Sequence, residues 1–531
     1  MKKIQLYFTI CLTASLVFSC DESEFLAEEP RDLLTSENLY ATPEGFENGL
    51  NALYYFVRQE RDGMAGRVPG MLYWSSTDNS YNPFSSTRRD LPYLEWGEFN
   101  NSTVEFYAII WDWLYRTVNA ANTIIVRAEN ETIDWEDENQ KNETIAPAKC
   151  LRAWAYRHLL NLWGAVPLTE TESTGNTIKT DWQRASRAEV MQLMEQDWLF
   201  AEQWLPEVQT MPGRLSKAVA QHYLAELYLM MDDPDEAEQK ALAAINNPNF
   251  SLITERYGVK ASEPGVPFMD QFYEGNVFHN QGNTEALWTF PNEFNVVGEA
   301  ENNIRRTWLL GYWRLPGVEI TPELGRGIGW LGPTKFALDL YTPEDDRGSE
   351  YAIHRYLITT AGDTIFTTTD PDEFLGIGPA GLEPNRPNNW PSTRKWDDGN
   401  AQILNSALGF RDQIYLRLAE TYLLLAEAQH RLGKNADAAE MLNVLRRRSS
   451  APDITAADVS IDFILDERSR ELLAEEHRRY TLLRLDKWLE RTKAHNHMSG
   501  PFITERDKLY PIPQPVIDAN LDFELQQNDG Y

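Results

Sequence analysis

Leu224-Ala225-Glu226-Leu227-Tyr228-Leu229 and, far downstream, Leu418-Ala419-Glu420-Thr421-Tyr422-Leu423 are nearly the same segment written twice. The first lies in residues 216–231, where Ala220, Leu224, Leu227 and Met231 recur at helical spacing. The second lies in residues 413–432, where Ile414, Leu418, Tyr422, Leu425 and Leu432 do the same. Each ends in a turn signal, Asp232-Asp233-Pro234 or Gly433-Lys434-Asn435. Pro234 suits the first turn of a new helix. Each then restarts as an alanine-rich helix, over 235–245 and Asn435–Arg448, and Ala237, Ala241 and Ala244 permit close approach.

Such helix–turn–helix units cannot bury their apolar faces alone, so they stack on neighbours. The expected fold class is mainly α, with tetratricopeptide-like helix pairs as scaffold and long aromatic-rich loop insertions. Further helices are predicted over 104–128, 147–163 and 186–204, the last opened by a Ser186/Glu189 capping box. Residues 461–488 are dense in charge (Glu467, Arg468, Arg470, Glu471, Glu475, Glu476, Arg478, Arg479) and predict a solvated helix face with i,i+4 pairs. Residues 63–101 and 257–405 are rich in Gly, Pro, Ser and Asn and exceed ordinary connections, which predicts functional loops.

The chain has 531 residues and a net charge of −32, from 49 basic and 81 acidic side chains. A polyanion such as nucleic acid would be repelled. Lys2, Lys3 and an apolar stretch from Ile4 to Phe18 read as a signal peptide, too short to span a bilayer comfortably. Val17-Phe18-Ser19-Cys20 resembles a bacterial lipobox, which implies cleavage before Cys20 and lipid on its thiol. Read otherwise, it is an ordinary signal in which Cys20 carries nothing. Asp21, Glu22, Glu24, Glu28 and Glu29 form an acidic tether that also resembles an export tag for the outer face of the outer membrane. No later stretch is long and apolar enough to cross a bilayer. Of three cysteines, Cys11 leaves with the signal and Cys20 takes lipid, so Cys150 has no disulfide partner.

Several motifs occur in a fixed order. Lys149–Tyr156 (Lys-Cys-Leu-Arg-Ala-Trp-Ala-Tyr) leads to Trp163-Gly164-Ala165-Val166-Pro167-Leu168. Gly213-Arg214-Leu215-Ser216-Lys217-Ala218 follows, then Tyr415-Leu416-Arg417-Leu418-Ala419-Glu420 and Ala426-Glu427-Ala428. Asn443–Arg448, Glu467–Leu472, Leu509–Gln514 and Gln527–Tyr531 complete the series. Together they resemble the SusD/RagB-like family of nutrient-binding lipoproteins, from the lipobox to the last residue. Asp529, where proline is common, and the bulky Leu215 depart from the pattern.

The resemblance implies a signal peptide over 1–19, a tether over 20–35 and one domain over 36–531. Within that domain it implies a helical scaffold over 36–256 and 406–490, a loop-rich insertion over 257–405 and a tail over 491–531. It further implies an outer-membrane, lipid-anchored, surface-exposed protein beside a SusC-like TonB-dependent transporter. Its role would be to capture a glycan and deliver it, without enzymatic activity. Some members serve peptide uptake instead, which is the alternative; a surface glycosidase is a third reading.

Composition points to the same kind of ligand. Aromatics are abundant, with 17 Trp, 23 Tyr and 22 Phe, and tryptophan exceeds what a core of this size needs; sugar rings present flat C–H faces that stack on aromatic rings. The loops supply the candidates: Trp96, Trp308, Trp313 and Trp330 as platforms, with Tyr81, Tyr312, Asn79 and Arg88 beside them. Trp111, Trp113, Trp154 and Trp163 sit on helices and are assigned to the core. His495-Asn496-His497 lacks the further ligands of a metal site. Gly325-Arg326-Gly327-Ile328-Gly329 lacks the strand and helix of a dinucleotide loop. No cofactor is expected, and a structural calcium ion leaves no legible spacing. Neither a Gly-x-Ser-x-Gly elbow nor a His-Glu-x-x-His helix is present.

Overall fold

In chain order the principal helices are α1 (Pro43–Asp62), α2 (Glu105–Arg127), α3 (Glu138–Trp163), α4 (Arg187–Trp204), α5 (Lys217–Met230), α6 (Pro234–Ile245), α7 (Leu418–Arg431), α8 (Asn435–Arg448), α9 (Ile461–Leu472), α10 (Arg478–Arg484) and α11 (Trp488–His495). A computed structural model describes residues 36–63, 68–81, 96–174, 179–296, 302–375, 388–397 and 401–531. The signal region, Cys20 and Arg88 lie outside them. Each helix from α1 to α6 packs on the next, and α6 then packs on α7 across the long insertion. The scaffold is mainly α and tetratricopeptide-like, as the repeated segments predict.

Local chemistry sets the helix ends. Asp233 accepts from Glu236 N at 3.2 Å, with Pro234 in the first turn. The Ser186/Glu189 capping box forms in both directions. Buried Ala237, Ala241 and Ala244 let α6 lie between α5 and α7. The two helices that carry the repeated segments, α5 and α7, are also joined directly: buried His222 Nδ1 sits 2.9 Å from Thr421 Oγ1.

Burial pulls the His222 pKa down to about 3. The unfolded chain takes up that proton near pH 6.5 and the folded chain does not, so His222 costs stability as pH falls below about 6.5. Asp412, pushed up to about 8 by burial and Glu274, acts in the opposite sense. A variant therefore isolates the histidine. His222→Gln is expected to flatten the loss of stability between pH 6.5 and 4.5 by about 1.4 kcal/mol per pH unit. Urea unfolding at several pH values measures this, and identical slopes in both proteins would refute it.

Three elements differ from the sequence reading. First, α3 begins at Glu138, capped by Asp137, and runs through Pro147. Buried Ile145 and Ala146 on one side and Ala148 on the other hold the helix across the missing hydrogen bond. Second, Gln413–Arg417 is a strand, paired antiparallel with Ala286–Phe290 and wholly buried. A partner strand far away in sequence overrides the local helical pattern.

Third, 461–488 is neither one helix nor a solvated face. It breaks after Leu472, where Ala474 has φ +67°, and again at Asp486, with φ +54°. Glu467, Arg468, Glu471 and Arg479 are all at most 1% exposed. The physical reason is position: α9 lies between α7, α8 and the insertion, so its charges meet other charges instead of water. Glu471 receives Arg347, Arg417 and Arg448. Glu467 receives Arg347, Arg446 and Arg470 at 2.7–2.8 Å. Glu475, released from helix geometry by the break, reaches Arg417 at 2.6 Å and Lys395 at 2.5 Å. Glu285 closes the network on Arg417 and Arg448.

The motifs that carry the family resemblance meet in space. Trp163 Nε1 donates to Pro511 O at 3.0 Å, and Asn528 Nδ2 donates to Tyr510 O at 2.7 Å. Arg152 forks onto Asp197, and Arg157 onto Glu226 at 2.7–2.8 Å. Trp113, Trp154 and Trp163 are buried, as is Trp111 at 6%. These blocks hold the scaffold together through buried side chains.

Candidate functional site

Two insertion segments lie side by side. Leu310 bridges Ile328, Gly329 N donates to Arg306 O at 3.0 Å, and Leu331 N donates to Thr307 O at 2.8 Å. Gly327 makes this approach feasible, since a Cβ there would lie 2.3 Å from the Leu309 carbonyl oxygen. The glycine loop therefore serves chain packing. The first loop joins the same assembly: Ser80 and Tyr81 pair with Pro333 and Gly332.

This pairing displays aromatic and basic groups together. Trp313 is half-buried and donates from Nε1 to Gly327 O at 3.0 Å. The Arg314 and Arg326 guanidiniums lie 4.9 and 5.1 Å from its ring centroid. Arg306 lies 4.1 Å from the ring of Trp330, which is 6% exposed. Burial, with repulsion from Arg326, draws the Arg314 pKa below its ordinary value. The result is a local positive ridge on a chain of strongly negative net charge. Forked guanidinium donors beside an indole suit hydroxyls and carboxylates on a flat-faced ligand. Arg326 is the residue that sequence reasoning missed; only its pairing partner places it over Trp313.

The other candidates take different positions. Trp96 is fully buried, stacked on Tyr510 at 5.8 Å and edge-on to Trp488, with Nε1 donating to Ser76 Oγ at 3.0 Å. Neither ring face is open, so in this structure Trp96 is packing, not a platform. Trp308, 2% exposed, lies edge-on to Trp74 at 5.8 Å and is likewise enclosed. Tyr312 is buried, its hydroxyl bound to Trp390 O and Ser392 Oγ. Tyr81 is 5% exposed and packs on Trp390. Asn79 is 4% exposed, its carbonyl accepting from Thr334 N at 2.9 Å. Loop tryptophans in a large insertion anchor the loops by burying their area, and spacing alone does not separate anchors from platforms.

Among the described residues one trio, Glu60, His158 and His477, brings metal-type ligand atoms within 4.8 Å of one another. Its hydrogen bonds do not suit a metal. Arg157 Nη1 lies 3.0 Å from His477 Nδ1, and arginine only donates. His477 Nδ1 therefore accepts, Nε2 keeps the proton, and Nε2 donates to Glu60 Oε1 at 2.8 Å. Burial holds both histidine pKa values well below the usual range, so the rings are neutral core groups.

Comparison with known proteins now bears on this architecture. Residues 378–531 match the model described as "SusD family", and residues 64–229 match "Starch-binding associating with outer membrane". The chain is 24% identical to SusD-like protein P2 of Formosa agariphila, over 100% of both chains. Its fold is similar to a laminarin-binding SusD-like protein, with a TM-score of 0.70, 21% identity, and 92% and 99% of the two chains covered. It is equally similar to surface glycan-binding protein A of Bacteroides thetaiotaomicron, with a TM-score of 0.70, 18% identity, and 92% and 100% covered.

Proposed function

This chain belongs to the SusD/RagB-like family, and on that premise we propose that it captures a glycan at the cell surface and hands it to a SusC-like TonB-dependent transporter. It associates with the outer membrane, in this reading through lipid on Cys20. It binds without cleaving. Support comes from relatives named for laminarin and surface glycan binding and from the matched starch-binding description. The observation that carries the reading is the Trp313 ridge with Arg314 and Arg326. The same guanidiniums would pair a peptide carboxylate, which keeps peptide uptake as the second reading.

Native affinity electrophoresis tests this, with the chain from residue 21 onward in gels containing laminarin, starch or a uronate-rich polysaccharide. Retardation by one of them is expected. Calorimetric binding of peptides with no retardation on any glycan would move the protein to peptide uptake. Release of shorter sugars from a retarding polysaccharide would make it an enzyme.

A further inference from the structure

We propose a second saccharide-binding site, in a cleft that shares no residue with the Trp313 ridge. The cleft spans about 570 Å³ between the outer face of α2, the residues Pro167, Thr169, Ser173, Lys179 and Trp182, and the C-terminal residues 515–525. That volume falls in the range of small-ligand sites. Its floor is aromatic: Trp111 and Tyr115 lie 5.1 Å apart at 37°, and the Tyr115 hydroxyl is fixed on Pro167 O at 2.6 Å.

One wall is Trp182, and its mounting is the informative feature. Trp182 N donates to Asn520 Oδ1 at 2.7 Å, and Asn520 Nδ2 donates back to Trp182 O at 2.9 Å. Asp522 N donates to Thr180 O at 2.9 Å. The backbone on both sides of the residue is thus tied to the C-terminal segment, while the ring itself stays only half-buried over the cleft. Rings used as loop anchors in this protein, such as Trp96 and Trp308, are enclosed instead. A ring carried on a backbone fixed by polar ties, with area left open, is positioned to accept another flat face at reduced entropic cost.

The rim completes the chemistry. Asp112 and Arg116 pair across one turn of α2 while staying 59% and 63% exposed. They offer acceptors and donors together and cancel in charge. Lys179 Nζ rests 4.6 Å over the Trp182 ring and 3.8 Å from Asp181, which balances its charge. Apolar faces with a charge-balanced rim fit the C–H faces and hydroxyls of a short neutral oligosaccharide.

Fluorine NMR of the full chain labelled with 5-fluorotryptophan tests this, with signals assigned through Trp182→Phe and Trp313→Phe. Laminaritriose, maltotriose and cellotriose are titrated separately. At least one should shift the Trp182 signal saturably, and the shift should persist in Trp313→Ala. The double variant Asp112→Ala/Arg116→Ala should weaken that response about fivefold or more at unchanged melting temperature. A Trp182 signal unmoved by all three sugars overturns the cleft, as does a response that vanishes in Trp313→Ala or is unaffected by the double variant. Movement at Trp182 with Trp313 silent would leave the cleft standing and count against the ridge alone.

Discussion

Glu471→Ala is expected to cost about 3–5 kcal/mol of stability, because it removes the one carboxylate shared by three buried arginines and leaves their charge only partly balanced. Arg347, Arg417 and Arg448 all converge on this carboxylate, and each is at most 7% exposed. Burial tends to raise the Glu471 pKa, yet the guanidiniums of Arg448, Arg417 and Arg347 hold it well below the usual range. The network joins α9, α8, the strand at Gln413–Arg417 and the insertion, so its loss loosens the scaffold and the insertion together. Urea unfolding followed by far-ultraviolet circular dichroism measures the effect. Arg447→Ala is the control: Arg447 pairs with Glu440 and Asp453, but at the surface, and should be nearly silent. A loss below about 1 kcal/mol for Glu471→Ala would show that the remaining carboxylates suffice.

Trp96→Ala and Trp313→Ala are expected to separate structure from binding. Trp96 fills a fully buried position among Tyr510, Trp488 and Arg479, and its truncation should cost about 3–5 kcal/mol. Trp313 is half-buried and its loss should leave melting nearly unchanged while abolishing retardation by the glycan that wild type binds. Paired melting curves and affinity gels decide the matter. A Trp313→Ala protein that melts far below wild type would make Trp313 another anchor. Unaltered retardation of that variant would remove the ridge from the binding site.

The repeated segments at Leu224 and Leu418 were legible because helix periodicity, alanine crossings and turn residues are local properties. So were the capping box at Ser186 and the core tryptophans of α2 and α3. The charges of residues 461–488 were misjudged for a related reason. A run of Glu and Arg reads identically whether its partners are water or arginines brought from Arg347 and Arg417. The candidate site divides in the same way. Trp96, Trp308 and Trp313 are equivalent in a sequence of loops, and Arg326 attracts no notice until Gly327 lets its segment lie against Leu309.

What the chain determined by itself was the scaffold: that the paired helices form, where their turns fall and how the motif blocks follow one another. Short-range hydrogen bonding and side-chain periodicity act over a few residues, and a sequence records them directly. Tertiary structure alone decided which charges are buried, that Gln413–Arg417 becomes a strand, and which rings stay partly exposed. Those outcomes depend on partners more than a hundred residues away in the chain, such as Trp288 on Leu416 and Arg347 on Glu471. Burial and pairing energies come into being only when such segments meet.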